Sequence, residues 1–346
     1  MKDRHRLRYR LRLGAETEIN DHVELGFRFA TGSGANSANQ TLGSGRDFDP
    51  DGIFVDRAYV TLKPHGKQKP IFGDSFDLSF GKMPNAFKPK GIGPALLIWD
   101  GDQLPEGVAL SWGATPCECW TTNLDLAYFV IGEVGNARDP GMIAVQLDND
   151  FKVTDDVSFK SQISYYGLRK LDERFFFRST GFEDIFNRTD LLPFGGNTAG
   201  LSSNNHVDLI EFHGGTTWTG VENWPITVWG NVIYNASADG IGEGKQNLGY
   251  GVGIEAGSKT AYAKIGVGYF EVEADAVPSV LFDSDLFDGF TNGEGFMVYV
   301  TRQIWKNTDF DVHAFFGDTL DSDVAKIQFV SPRDRVRIQT NIIVKF

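Results

Sequence analysis

The chain has 346 residues, of which 41% are hydrophobic and 23% charged, and its 46 Asp and Glu outnumber its 33 Lys and Arg, which gives a formal net charge of -13. This acidic balance argues against a nucleic-acid partner, because phosphate binding requires a basic surface. The two cysteines exclude a disulfide-rich scaffold. Apolar runs such as residues 95–99 are far shorter than the roughly 20 residues of a membrane helix. Composition therefore excludes a helical membrane protein, but not a membrane barrel.

The first segment alternates strictly between basic and apolar residues. Positions 6–13 read RLRYRLRL, with four arginines on one face and three leucines and a tyrosine on the other. A period of two is typical of a β-strand whose faces meet different surroundings, whereas a helix would scatter the arginines around its axis. The alternation resumes after a polar turn near residues 20–21.

The same alternation recurs along the chain, and convincing amphipathic helices are absent, so the sequence predicts an all-β fold with about fifteen strands. The predicted strands cover residues 4–13, 22–30, 54–63, 75–81, 107–115, 123–131, 142–150, 157–168, 207–218, 226–236, 249–256, 261–272, 296–304, 310–316 and 334–346. Aromatic residues gather near the strand ends, as they do in the girdles of membrane barrels. Trp229 is the one tryptophan whose strand position predicts a lumen-facing side chain.

The connections between these strands alternate between short polar turns and long Gly/Asn/Asp-rich loops. This sorting is typical of a transmembrane antiparallel β-barrel with short periplasmic turns and long extracellular loops, and a soluble Greek-key fold has no reason to show it. We therefore expect one barrel domain over residues 1–346. Two loops, 82–106 and 169–206, are long enough to fold inward and narrow the lumen, and the pattern does not decide between them.

The direction of the strands predicts that one is missing. The first and last segments both run towards the periplasm, whereas bacterial barrels have even strand numbers and keep both termini there. We expect an upward strand before Met1, a signal peptide removed or left out, and 16 strands in the complete barrel. An overlooked strand within residues 326–331 is the alternative.

Several stretches resemble the putative porin family of Gram-negative outer membranes. They are RHRLRYRLRLGAETEINDHVELGFRFATG (4–32), FVDRAYVTLKP (54–64), LSFGKMPNAF (78–87), WDGDQLPEGVAL (99–110) and DRVRIQTNIIVKF (334–346). The terminal Phe346 after alternating apolar residues resembles the signal read by the barrel-assembly machinery. The resemblance implies a water-filled, usually trimeric channel that lies among lipid and lipopolysaccharide (LPS) and passes small hydrophilic solutes and ions. A substrate-specific channel and an anchoring barrel with a plugged lumen are the alternatives.

The basic residues on the polar strand faces are the candidate pore-lining residues. Charges on the lipid side would cost about 2–4 kcal/mol each at mid-bilayer, so these side chains should face the lumen, where their field could select ions. A solvated wall without a role in selectivity is the alternative. The candidates are Arg6, Arg8, Arg10, Arg12, Arg28, Arg57, Lys160, Lys264, Arg335 and Arg337.

Many acidic residues fall in the predicted extracellular loops, among them Asp100, Asp102, Asp283, Asp285 and Asp288. An acidic vestibule facing the basic wall would produce a transverse field across a constriction. A solvated rim that faces LPS is the simpler expectation for most of these acids.

Two further motifs leave alternatives open. Asp47, Asp49 and Asp51 lie in DFDPDG, which matches the opening of a calcium loop, but Ala58 stands where the bidentate acid is expected. A structural calcium ion or a plain turn fits this segment, and we expect no other cofactor. Cys117 and Cys119 lie in a predicted periplasmic turn, where either a disulfide or two free thiols are possible. Metal-protease and serine-hydrolase motifs are absent, so no enzymatic activity is expected.

Overall fold

The computed structural model describes residues 4–32, 37–43, 50–89, 91–133, 139–170, 206–238, 244–278, 281–327 and 334–346. Fifteen strands form one antiparallel sheet. They are β1 (Arg12–Asn20), β2 (Val23–Thr31), β3 (Ile53–Leu62), β4 (Ser75–Lys82), β5 (Glu106–Cys117), β6 (Trp120–Val130), β7 (Gly141–Lys152), β8 (Val157–Arg169), β9 (His206–Trp218), β10 (Ile226–Asn235), β11 (Leu248–Gly257), β12 (Lys264–Val272), β13 (Gly293–Trp305), β14 (Thr308–Thr319) and β15 (Arg335–Val344).

Each strand pairs with the next along the chain, which confirms the predicted antiparallel, all-β architecture with short turns at one end and long loops at the other. A six-residue helix, α1 (Ser322–Ile327), lies in the loop before β15 and ends in the first two residues of the segment 326–331 considered as an overlooked strand, the rest of which lies outside the described residues. No helix in the described part of the chain is long and apolar enough to cross a membrane.

The predicted bounds of the first strand are wrong. Its ladder with β2 begins at Arg12 rather than at residue 4, because β2 ends at Thr31, whose backbone N–H donates to Leu11 O at 3.0 Å and closes the pairing of the two strands. Arg8–Tyr9 pairs instead with Gln40–Thr41 from the following loop. The arginine-rich segment thus extends beyond the sheet towards the extracellular side.

The sheet curls into a barrel whose two outer strands are β1 and β15. These strands do not pair with each other in the described residues. Both nevertheless contact loops that also pack against β6, β8 and β10, so the sheet surrounds these loops. The expected count of 16 strands stays a prediction.

The two faces of the sheet meet different surroundings. Outward-facing side chains such as Leu13, Phe27 and Ile338 are at least half exposed, whereas inward-facing Leu209 and Phe270 are completely buried. A continuous exposed apolar face of this kind is unstable in water but suits a lipid bilayer. The alternation read in the sequence thus corresponds to a lipid face and a lumen face.

Different aromatic residues mark the two ends of the outward face. Tryptophans lie towards the short-turn end, and Trp120 stacks on Phe151 there. At the long-loop end, outward-facing tyrosines donate their hydroxyls to carboxylates, as Tyr269 does to Glu294 at 2.8 Å. Amphipathic rings of these types favour the membrane–water interface, so the two belts delimit the membrane-spanning height.

Inside the barrel, Trp229 lies flat against the wall because its neighbours on adjoining strands are glycines. It stands opposite Gly253 on β11, which in turn stands opposite Gly268 on β12. A Cβ at Gly253 would lie 2.4 Å from Cζ2 of the indole and one at Gly268 would lie 2.9 Å from it. The glycines therefore create the space that this side chain occupies.

Gly253→Val should destabilise the barrel by about 1–3 kcal/mol, because the added atoms overlap the indole of Trp229. Gly230→Val is the matched control, since a Cβ there would meet no atom closer than 3.8 Å. Urea unfolding in detergent micelles measures both variants. Equal stabilities for the two would contradict the proposed packing of Trp229.

Candidate functional site

The constriction loop, residues 83–105 between β4 and β5, folds into the barrel. Its residues Phe87, Leu97 and Trp99 are almost completely buried. The rings of Phe87 and Trp99 pack edge-to-face against Tyr166 of β8, with centroids 6.1 and 5.6 Å away. Of the two long loops considered from the sequence, this one enters the lumen. Residues 171–205 of the other lie outside the described residues.

Amide side chains on the barrel wall hold the backbone of the constriction loop. Gln162 of β8 donates from Nε2 to the carbonyl oxygen of Phe87 at 3.1 Å, and Gln146 of β7 donates to Ala86 at 3.3 Å. Both glutamines are buried, so these bonds form away from water and satisfy carbonyl groups that would otherwise lack partners. The wall thereby fixes the path of the loop.

A second inward loop, the described residues of 273–292 between β12 and β13, packs against the first. The backbone N–H of Trp99 donates to Leu281 O at 2.6 Å, and that of Ser284 donates to Asp100 Oδ2 at 2.9 Å. Phe282 and Leu286 join the same buried apolar cluster as Trp99. The two loops thus form one body inside the barrel.

Ion pairs tie this body to the outer strands. Asp102 of the constriction loop accepts from Arg10 at 2.9 Å and from Arg12 at 2.7 Å. Asp285 of the second loop pairs with Arg337 at 2.7 Å. Asp288 contacts both Arg335 and Arg337.

The positions of these acids differ from the solvated rim expected for most of the loop acids. Asp102 and Asp285 lie inside the barrel, because the apolar residues of both loops pack against the lumen wall and carry the neighbouring carboxylates inward. The pattern of charges in the sequence did not reveal that these two acids lie inside the barrel. The signal was the apolar run at residues 95–99, which a solvated loop has no reason to contain.

Most of the other candidate pore-lining residues also have carboxylate partners. Their pairs are Arg28 with Asp56, Arg57 with Glu16 at 3.8 Å, Lys160 with Asp150 at 2.8 Å and Lys264 with Glu255 at 2.8 Å. Arg6 and Arg8 are exposed, and no ion pair joins either of them to another described residue. The wall is therefore basic but largely neutralised, and its role in ion selection stays a prediction.

The loops cover the lumen unevenly. They bury the upper lumen face of the middle strands, including Phe129, Leu209 and Ile233. On β1–β3 the side chains of Arg12, Arg28 and Arg57 keep 25, 18 and 23% of their surface exposed. These three side chains, the guanidinium wall, thus keep accessible surface on the lumen face of the sheet.

A family model described as Putative porin matches residues 1–180 of the chain. The chain belongs to the Putative porin family. Comparison with curated proteins gave no match.

Solved porin-type barrels share the fold. The outer membrane channel DcaP of Acinetobacter baumannii is 10% identical, with 97% of this chain and 84% of that chain covered and a TM-score of 0.50. OprB of Pseudomonas putida, in its high-pH structure, is 11% identical, with 97 and 87% covered and a TM-score of 0.55. At these identities the likeness concerns the fold, and together with the family it places this porin in the outer membrane as an integral protein.

The two remaining motifs lie at opposite ends of the porin. Cys117 and Cys119 form a disulfide across the exposed turn between β5 and β6, with Cα atoms 5.2 Å apart. Asp51 accepts hydrogen bonds from Tyr9 at 2.5 Å and Gln40 at 2.6 Å, while Asp47 and Asp49 lie outside the described residues. No group of three metal-ligating side chains occurs in the described part of the chain, and the calcium ion stays a prediction.

Between the two loops of the porin lies a cluster of carboxyl groups. Burial, together with the charges of Asp100 and Asp285, raises the pKa of Asp283 to about 8, although Lys88 acts in the opposite sense. Burial lowers the pKa of Lys88 itself, whose Nζ donates to the carbonyl oxygen of Asp100 at 2.7 Å. The contact between the loops therefore favours a protonated Asp283.

Asp102→Asn should increase single-channel conductance and shift the reversal potential in a KCl gradient towards anions. The change removes the charge that neutralises Arg10 and Arg12, so the loop loses an anchor and the wall gains positive field. The control is Glu222→Gln in an exposed periplasmic turn, which also removes one negative charge but lies far from Arg10 and Arg12. An unchanged reversal potential in Asp102→Asn would show that the conducting path avoids these arginines.

Conductance should rise with pH between about pH 4 and pH 8 and then level off. In this window the packed loops keep a proton on Asp283 that a detached loop would release, so packing weakens as the pH increases. Recordings at stepped pH values measure the effect. Asp283→Asn should flatten the profile, whereas Asp155→Asn in a periplasmic turn should leave it unchanged. A profile equally steep in Asp283→Asn would assign the pH dependence to another group.

Proposed function

We propose that this porin passes small hydrophilic solutes and ions by passive diffusion along an off-centre path, bounded by the guanidinium wall of β1–β3 and by the two inward loops. The observation that carries the proposal is the pairing of Asp102 with Arg10 and Arg12, which places the inner edge of the constriction loop against that wall. Where the loop and the wall separate beside this contact, their opposite charges give a field that acts on any charged solute passing between them.

Transport of this kind needs no chemical step. Diffusion down a gradient requires only a hydrated path, and the lumen wall supplies hydrogen-bonding groups along it, such as the paired hydroxyls of Thr61 and Ser79. We therefore propose a channel without enzymatic activity. The lumen-facing pair Glu211 and Asn231 is completely buried beneath the constriction loop and serves packing in this proposal.

We further propose that the porin works as a homotrimer among outer-membrane lipids and LPS. The exposed apolar belt supports a lipid environment, and the belt of tyrosine–carboxylate pairs lies at the height where LPS headgroups begin. The trimer rests on family resemblance. Part of the apolar belt would be covered by neighbouring copies instead of lipid.

An anchoring barrel with a plugged lumen is the second candidate. The buried apolar cluster that the two loops form with the wall favours it, because such a cluster closes the part of the lumen that it fills. The two candidates differ in one property, which is conductance.

Purified protein added to planar lipid bilayers should produce stepwise conductance, with three equal closures at high voltage for each inserted trimer. Liposome swelling should show faster entry for smaller neutral sugars, since the path selects by size. Heat-denatured protein is the negative control. A folded protein that gives no conductance would favour the plugged barrel, and single closures would contradict the trimer.

A further inference from the structure

The turn between β3 and β4, residues 63–74, folds back over the outward face of the sheet, and we call it the β3–β4 turn. Its first half rests on Phe76 of β4, where the rings of His65 and Phe76 meet edge-to-face with centroids 6.4 Å apart. Its second half rests on Trp112 of β5, whose indole Nε1 donates to the carbonyl oxygen of Phe72 at 2.8 Å. Phe76 and Trp112 stand directly opposite each other on the outward face, so the turn covers that face at its short-turn end.

Further contacts fix the β3–β4 turn against the sheet. The backbone N–H of Asp74 donates to Gly113 O at 2.7 Å, and the carboxylate of Asp74 accepts from the N–H of Thr115 at 2.6 Å. Gly73 has a φ of 92°, and a Cβ there would lie 2.4 Å from Nε1 of Trp112, so the close approach to the indole requires glycine. The turn therefore keeps one position beside the apolar belt.

Two large apolar side chains project from this fixed turn. Ile71 and Phe72 are 89 and 80% exposed, which is more than any large apolar side chain on the fifteen described strands. Water disfavours an adjacent pair of this kind, and the contacts that fix the turn hold the pair exposed. The arrangement therefore indicates an apolar partner at this place.

Two exposed lysines precede the apolar pair. Lys67 pairs with Asp21 at 2.8 Å, and Lys69 pairs with Asp74 at 2.5 Å. Exposed ion pairs contribute little free energy, so both ammonium groups can also contact a phosphate. Apolar side chains combined with lysines are typical of segments that lie in the interface of a phospholipid layer.

We propose that the β3–β4 turn binds a glycerophospholipid of the periplasmic leaflet, with Ile71 and Phe72 among the acyl chains and Lys67 and Lys69 at the phosphate. The turn rests on outward-facing rings, so its apolar pair continues the belt that meets lipid. Trp112 belongs to the tryptophan belt, which places the turn at the membrane–water interface. This binding is separate from the conducting path, because the turn lies outside the lumen.

Methyl NMR can locate Ile71 directly. Protein with labelled isoleucine δ-methyl groups is placed in nanodiscs of phosphatidylethanolamine and phosphatidylglycerol, and Ile71→Val identifies the signal. A doxyl-labelled phospholipid should broaden the Ile71 methyl signal as it broadens that of outward-facing Ile210, and it should spare that of buried Ile233. A soluble gadolinium chelate should leave the Ile71 signal sharp.

Two results of this experiment would overturn the inference. Broadening of the Ile71 signal by the chelate but not by the lipid would show that the turn lies in water. Broadening by neither reagent would show that a protein surface, such as a second copy of the chain, covers the turn.

Lipid retention provides the second measurement. Native mass spectrometry should show phospholipid bound to the folded protein after detergent exchange, and Phe72→Ser should lower the bound fraction about fivefold. Val153→Ser is the matched control, since it removes an exposed apolar side chain from the turn between β7 and β8. Equal retention by these two variants would contradict the proposed site. Heat-modified electrophoretic mobility verifies that each variant is folded.

The headgroup contact has its own test. Lys67→Gln combined with Lys69→Gln should lower the retention of phospholipid but not that of diacylglycerol, which lacks the phosphate. Unchanged retention of phospholipid would overturn the contact between the lysines and the phosphate. Conductance should be the same in all these variants. A wild type that retains phospholipid but does not conduct would contradict the proposed function and leave the lipid site supported.

Discussion

The arrangement of the lumen depends on ion pairs between loop carboxylates and the arginines of the outer strands. Arg12 on β1 and Arg335 and Arg337 on β15 alternate with apolar residues and cannot face lipid, so the membrane itself directs them inward. Once inside, they repel one another unless carboxylates approach. Asp102 and Asp285 supply these charges from two loops that are distant in sequence, and they bring the loops to the same side of the barrel.

Apolar packing decides how the loops reach that position. The constriction loop buries Phe87, Leu97 and Trp99 against the middle strands, and amides on β7 and β8 satisfy its carbonyl groups. Packing therefore holds one edge of the loop and ion pairs hold the other. The middle strands are covered while β1–β3 stay partly open, so the path proposed for solutes runs along the wall rather than through the centre.

The same balance leaves positive charge on the wall of β2 and β3. The loop acids neutralise the arginines that they can reach, which are Arg10 before β1, Arg12 on β1, and Arg335 and Arg337 on β15. Arg57 lies farther from the loops and depends on a carboxylate at 3.8 Å. The positive charge of Arg57 is thus left without a close counter-charge from the loops.

Much of the fold followed from alternation alone, because lipid and water impose opposite requirements on successive residues of a strand. The inward direction of Arg12, Arg28 and Arg57 could be read from the sequence for this reason. The start of β1 could not, since it depends on where β2 ends and on the loop that pairs with Arg8 and Tyr9. A β-bulge at Asp56 of β3 likewise emerged only from the pairing of two strands.

By itself, the sequence of this porin determined which residues face lipid, which face the lumen, and which connections are long. These properties depend on near neighbours and on a period of two. Only the tertiary structure decided which loop enters the lumen, which acids meet which arginines, and which turn folds over the outward face. Those contacts join residues that are far apart in the sequence, such as Arg12 and Asp102, which are 90 positions apart. No pattern among near neighbours in the sequence can reveal such a contact.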